Sequence, residues 1–484
     1  MSESLKQKTI SGIIWSGVQK FGSLAVSFLA NIVLARLLSP EDFGCIGMLY
    51  IFIVVSQTFI DGGFGAALVQ KKNPSEEDYS TIFYWNIIAA VLIYGVLYLS
   101  APAIAAFYRI PLLCDVLRIQ GLSLIISSTY IVQANRLIKQ LKFRLYSLVT
   151  IVAVLVGTVV GISLAYYGWG VWSLVVKEMV TVLVTGILLW VLCHWRPLLK
   201  FSITSFKSLF NYGFMILLAS FVNRLYENVQ GLIIGRAFSA KDLGYYTQAK
   251  KLEEIPVTAF SDMITQVTFP VYASIADQKE YLKTIVQKNV KVVNYISFGI
   301  MSLLIVIAKP VFVILFTDKW IDSVPLFQIL CIAGMSIPLN NVSTQLFKGI
   351  GRSDIFFVLQ FVKRLIGLGV ILFSIQWGLM AMMWAIVVNN YLFYLMNCYY
   401  TSKVLDYTVK EQIRDIIPNL LITLLLTLAF HRLFINIEPI LNGKILMIVI
   451  IFLYTSIYMF VGVRLKFEGA MFLLNLLREK CRRI

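Results

Sequence analysis

Charge is what this sequence is short of. Only 14% of its 484 residues are Asp, Glu, Lys or Arg, against about 25% in an ordinary soluble domain. With 59% hydrophobic residues and a mean hydropathy of +0.82, neither a soluble enzyme nor a disordered chain fits. Histidine is nearly absent: His194 and His431 are the only two, too few for a zinc site or a Ser-His-Asp triad. The 6 cysteines are scattered without a C-x-x-C pair, which excludes a disulfide scaffold and leaves Cys114 and Cys331 as small hydrophobes in apolar stretches. There is no G-x-x-x-x-G-K-[ST] loop for ATP. No metal, no cofactor and no catalytic residue is expected. The net charge of +17 would suggest nucleic acid in a soluble protein, but here the excess sits in loops, and no nucleic-acid partner is expected.

What the sequence has is long hydrophobic runs. Crossing a bilayer takes roughly 20 mostly apolar residues. About 14 such segments fall near 10–35, 43–68, 80–106, 113–135, 146–166, 171–192, 209–235, 243–274, 290–316, 324–346, 355–375, 379–401, 416–434 and 444–463. The segment at 243–274 is the most polar, carrying Lys250, Lys251, Glu253, Glu254 and Asp262. The N-terminal MSESLKQKTISGIIWSG runs straight into the first segment without a small-residue cleavage site, unlike a signal peptide. The expected fold is an all-α integral membrane protein. An even span count puts both termini on one side, and Lys71, Lys72, Arg136, Lys139, Lys142, Arg144, Arg196 and Lys200 then share that side. The positive-inside rule makes it cytoplasmic.

The chain also repeats itself. LARLLSPEDFG (34–44) returns as IGRAFSAKDLG (234–244), so that Arg36, Ser39, Asp42 and Gly44 pair with Arg236, Ser239, Asp242 and Gly244. GWGVWSLVV (168–176) echoes in QWGLMAMMW (376–384). Six spans separate the copies, so the repeat is parallel, related by a pseudo-two-fold axis along the membrane normal. Transporters built this way bind substrate between their halves and rock one against the other. The organisation expected is an N-lobe at 1–200 (spans 1–6), a C-lobe at 201–405 (spans 7–12), and two further spans with a basic cytoplasmic tail at 406–484.

Together with DGGFGAALVQKK (61–72), APAIAAFY (101–108), GWGVWSLV (168–175), WRP (195–197), IGRAFSAKDLGYYTQAKKLEEIP (234–256) and TFP (268–270), these pieces resemble the polysaccharide transporter branch of the multidrug/oligosaccharidyl-lipid/polysaccharide exporter superfamily. The resemblance covers roughly the first 270 residues and implies two six-helix bundles around a cationic lumen in a bacterial plasma membrane. It implies outward flipping of an undecaprenyl-pyrophosphate-linked oligosaccharide for surface polysaccharide or lipopolysaccharide synthesis. Expected partners are that lipid-linked oligosaccharide, membrane lipid and polysaccharide assembly proteins.

Intramembrane polar residues normally face a cavity or a partner, because each ionisable one costs about 2.5–3.5 kcal/mol on insertion scales. In span 1, Ser16, Gln19, Lys20, Ser23, Ser27 and Asn31 recur at helical spacing. Ser220, Asn223, Arg224, Glu227 and Gln230 do the same in span 7, and Thr247, Lys250, Lys251, Glu254, Thr258, Ser261 and Thr265 in span 8. Span 2 adds Gln57 and Asp61. Lys20, Arg224, Lys250 and Lys251 are the candidate pyrophosphate ligands. Gln19, Ser23, Gln57, Asp61, Asn223, Glu227 and Glu254 are candidate lumen lining. Competing roles stand beside these: Arg224 can neutralise Glu227, and Lys250 and Lys251 can pair with Glu253 and Glu254. Lys363 and Arg364 in span 11 read as snorkelling side chains rather than ligands. Arg36 and Arg236 read as holding helix ends beside the Ser-x-x-Asp turns.

Two other functions compete. A multidrug exporter of the same superfamily needs coupling acids in the N-lobe, where span 1 has none and span 2 offers Asp61. A membrane glycan polymerase or ligase needs a sizeable outer loop, and the longest outer connections, near 316–324 and 434–444, are short.

Overall fold

The computed structural model describes residues 3–437 and 443–483, and its architecture follows from where the helices start and stop. In the first half run α1 (Glu3–Leu37), α2 (Pro40–Asp61), α3 (Phe64–Gln70), α4 (Glu76–Tyr108), α5 (Leu112–Ser128), α6 (Ile131–Lys139), α7 (Phe143–Tyr166), α8 (Val171–Leu192) and α9 (Ile203–Ala237). The second half has α10 (Ala240–Ser274), α11 (Lys279–Val306), α12 (Ala308–Phe316), α13 (Ser323–Gly349), α14 (Ser353–Ser374), α15 (Leu379–Leu405), α16 (Val409–Ile437), α17 (Gly443–Arg464) and α18 (Glu468–Arg483). Side chains satisfy the orphan N–H groups at several starts. Ser39 and Asp42 form a reciprocal capping box at α2, and Ser75 and Asp78 do so at α4. Thr408 and Glu411 make the same exchange at α16. Gly62 and Gly63, both at positive φ, separate α2 from α3, a conformation that glycine adopts without a Cβ penalty.

Among the described residues, 12 helices are long and apolar enough to cross a membrane, and α5 with α6, bent by 42°, makes a thirteenth. The remaining expected span, 243–274, is one continuous 35-residue helix, α10. It is long enough to cross, and its charged residues keep it out of the apolar set.

The helices form two units, Met1–Gly244 and Tyr245–Ile484. In the first, glycines let helices approach closely. A Cβ on Gly157 would overlap the Thr181 hydroxyl, and one on Gly161 would press on the Lys177 side chain, which seats α7 on α8. At the other end of the chain's first repeat, a Cβ on Gly44 would overlap the Ala240 carbonyl, and a Cβ on Gly244 would overlap the Pro40 carbonyl. The starts of α2 and α10 thus cross reciprocally. The basic loop ends of this unit are tied together: Arg136 meets Glu76 at 2.6 Å, Lys71 meets Asp78 at 2.7 Å, and Lys139 donates to the carbonyls of Val69 and Lys71.

In the second unit α13 is the most buried span, packed between α11 and α15. The last two spans dock on α11 through buried polar contacts. Asn419 donates to the Asn294 carbonyl, Tyr458 donates to Asn419 Oδ1 at 2.8 Å and to the Tyr295 carbonyl at 2.7 Å, and Ser302 bonds Tyr454. The expected basic tail is α18, which packs on α11 with Lys291 reaching Glu468 at 3.1 Å; the side chains of residues 480–484 lie outside the described ones. Of the two outer connections, that near 316–324 folds into a turn with Trp320 buried. The other, 434–444, includes residues 438–442, outside the described ones.

Candidate functional site

The first unit carries most of the candidate residues. Lys20 is exposed on α1, six residues into the apolar stretch Ile14–Leu37, about 9 Å along the helix. Gln19 beside it is half-buried near Tyr146 of α7, and Ser23 is half-buried one turn on. The side-chain spacing that predicted a polar face therefore leaves Lys20 outward while Gln19 is taken up by packing. Arg224 lies on α9, thirteen residues from its Ala237 end, about 20 Å of rise. Its guanidinium is exposed and sits 3.3 Å from Glu227 Oε2, itself exposed, with Asn223 exposed alongside. The pair is one of the two roles the sequence left open. An exposed pair three residues apart is weak, so Arg224 can exchange Glu227 for a stronger anion.

Gln57 and Asp61 on α2 are engaged locally. Gln57 Oε1 accepts from the Ser127 hydroxyl at 3.0 Å. Asp61 ends α2 just before Gly62 and Gly63, and its carboxylate lies beside Gly65 at the start of α3.

In the second unit, Lys250 is half-buried, stands 3.7 Å from Glu254 Oε1 one turn along α10, and bonds Tyr246. Lys251 and Glu254 are exposed. Glu253 is 5% exposed and lies against Gly334 of α13. The four charges of this segment are therefore split: Lys250 is tied to Glu254, whereas Glu253 turns into the unit.

Sequence reasoning misjudged Lys363. It does not snorkel: it is 6% exposed, in the middle of α14, and donates to Asn397 Oδ1 at 2.6 Å. Its position could not be told from spacing alone, because the acceptor comes from α15, 34 residues on. Lys177, half-buried in the first third of α8 against Gly161, was likewise missed. Among the described residues no cluster of three His, Cys, Asp or Glu is placed to hold a metal ion.

The motif residues that are not candidates turn out to be structural. Trp195 of WRP donates to Glu76 Oε2 at 2.6 Å and lies under the Arg136 guanidinium. Tyr108 of APAIAAFY donates to the Met48 carbonyl, and the Arg236 guanidinium stands 5.0 Å over Phe107. Ser239 and Asp242 exchange bonds as Ser39 and Asp42 do.

Comparison with known proteins agrees with this frame. The polysaccharide biosynthesis protein family matches residues 33–325. The chain is 25% identical over 430 residues to the teichuronic acid biosynthesis protein TuaB of Bacillus subtilis, covering 87% of this chain and 88% of that one. It is 25% identical over 360 residues to the lipopolysaccharide biosynthesis protein WzxC of Escherichia coli, covering 73% and 72%. Its fold is similar to that of the lipid II flippase MurJ in an inward closed conformation, with a TM-score of 0.71 at 12% identity over 93% of this chain and 100% of that one. This multi-span membrane protein therefore belongs to the polysaccharide biosynthesis protein family, in the polysaccharide transporter branch of the multidrug/oligosaccharidyl-lipid/polysaccharide exporter superfamily.

Proposed function

We propose that the chain is a flippase carrying a polyprenyl-pyrophosphate-linked oligosaccharide from the inner to the outer leaflet, without an enzymatic step of its own. The observation that carries this reading is the exposed cation at membrane depth on each of two spans, Lys20 on α1 and Arg224 on α9. A diphosphate cannot cross hydrocarbon without compensating charge. Lys20 supplies a point charge and Arg224 a planar fork that grips phosphate oxygens in pairs. Lys250 and Lys251 are further candidates, and Gln19, Ser23, Gln57, Asp61, Asn223, Glu227 and Glu254 the candidate polar lining for the sugar. The family, and relatives named for teichuronic acid and lipopolysaccharide biosynthesis, support the substrate class.

The halves of the transporter are read as residues 1–200 and 201–405, the two copies of the repeat, with 406–484 appended. Both termini are assigned to the cytoplasm, because the linked cluster of Lys71, Arg136 and Lys139 lies on the same side as the termini in that count. A potential that is negative inside favours outward movement of the anion by about 2.3 kcal/mol per charge per 100 mV. Assembly proteins of the same polysaccharide are the natural partners for loading.

The test is complementation. In a strain lacking the gene, the wild-type chain is expected to restore surface glycan, and the double variant Lys20→Ala/Arg224→Ala to fail at equal membrane abundance. Full restoration by the double variant contradicts the assignment of these two cations. New sensitivity to cationic dyes with an unchanged lipid profile would favour a drug exporter instead.

A further inference from the structure

The second unit holds a lysine that nothing in the substrate reading uses. Lys363 is buried among α13, α14 and α15, with the Phe393 ring 5.8 Å from its Nζ. Its Nζ donates to Asn397 Oδ1 at 2.6 Å, Asn397 Nδ2 donates to Asn340 Oδ1 at 2.7 Å, and Asn340 Nδ2 donates to the Ser336 carbonyl at 3.1 Å. The bonds thus run one way, from the amine through two carboxamides to the backbone of α13.

The chemistry of the acceptor matters. Lys71 and Lys279 lie 2.7 Å and 2.6 Å from the carboxylates of Asp78 and Asp406, partners that hold an amine protonated. Among the described residues no carboxylate pairs with Lys363. A carboxamide oxygen can accept from an ammonium, more strongly, or from a neutral amine, so Lys363 can gain or lose a proton while keeping an N–H aimed at its partner. Burial makes carrying the charge there costly.

The other titratable groups on the packed helices leave this unchanged. Cys398 and Tyr394 on α15 are both buried. Tyr391 donates to the Ile332 carbonyl, and Lys403 lies over Tyr399. On α13, Cys331 is buried and Lys348 lies over Phe356. On α14 itself, Asp354 is paired with Arg352, and Arg364 follows Lys363.

We propose that Lys363 is a proton-binding site of the second unit, through which transport is coupled to proton movement. The step is addition of H⁺ to the amine lone pair, giving the ammonium, and its reverse. Water at either membrane face supplies and accepts the proton, and no bond to substrate is made. This rests on the transporter reading, and its test is separable from that of the transporter.

The experiment is nuclear magnetic resonance of the full chain in nanodiscs with ¹³C-labelled lysine, the Lys363 signal being assigned by its loss in Lys363→Met. The pH is varied over the range in which the chain stays folded, and the expected result is a titration of that signal that is lost in Asn397→Asp, where a carboxylate would hold the proton. A Lys363 signal that stays in the ammonium form through that range overturns the proposal. Glycan export by Lys363→Met and Asn397→Asp is then compared with wild type at external pH 6 and 8. Loss of pH dependence in both, with melting temperatures kept, is expected; wild-type pH dependence in either overturns the coupling. If the wild-type chain itself fails to restore glycan, the transporter reading falls, whatever Lys363 does.

Discussion

Gly44 and Gly244, counterparts 200 residues apart in the repeat, each lie against the backbone at the start of the other's helix. Gly44 faces the Ala240 carbonyl and Gly244 faces the Pro40 carbonyl. The exchange is reciprocal. Both turns are capped by the same Ser-x-x-Asp box, so the residues that start each helix also stand at this close approach within the first unit.

Alanine at either glycine would force a Cβ into a backbone carbonyl, which cannot swing away as a side chain can. Gly44→Ala and Gly244→Ala are each expected to destabilise by about 1–3 kcal/mol, the usual range for overpacking. The double variant should cost less than the sum, because the first backbone shift relieves the second site. Thermal unfolding in detergent with a thiol-reactive dye measures all three.

Glu76 takes two donors, Arg136 and Trp195. Glu76→Ala should destabilise by about 1–2 kcal/mol, discounted because the carboxylate is half-exposed. Glu76→Gln should recover part of this, since its amide oxygen still accepts from the indole. Comparing the two by thermal unfolding separates the indole bond from the ion pair.

The appended spans are fixed by Tyr458, whose hydroxyl reaches Asn419 and the Tyr295 carbonyl in a buried setting. Tyr458→Phe leaves the ring stacking with Tyr295 intact and strands both acceptors. A loss of about 1–3 kcal/mol is expected, together with faster proteolysis in the α16–α17 region. Unchanged stability would mean that these spans are held by apolar packing alone.

Arg224 and Glu227 provide a control for function against folding. Their exposed pair contributes at most about 0.5 kcal/mol, so Arg224→Gln and Glu227→Gln should both leave the melting temperature within error. Arg224→Gln is expected to lower glycan export, whereas Glu227→Gln, which keeps a polar side chain in the candidate lining, should keep it or raise it by freeing the guanidinium. Equal losses from both would point to the pair itself as the working unit.

Much of this architecture is legible in the sequence because bilayer thickness and hydropathy dictate it. The hydrophobic runs map onto helices, and the repeat at Arg36–Gly44 and Arg236–Gly244 locates matching turns. Composition is less decisive where a helix is polar, and α10 shows why: its Lys and Glu residues lower its hydropathy while its backbone stays one continuous helix. The site was only partly legible. Spacing on one helix could pair Arg224 with Glu227, but it could not reveal that Lys363 meets Asn397, because that partner comes from another helix. The motifs WRP and APAIAAFY marked the family, and their aromatic residues pack and bond within the first unit.

The most direct measurement of the central claim is mass spectrometry of the lipid extract from cells lacking this gene. The flippase account predicts accumulation of a completed polyprenyl-pyrophosphate glycan repeat unit, with loss of the matching surface polysaccharide, reversed by the wild-type chain. An unchanged lipid profile, or truncated glycans in place of completed units, would contradict it.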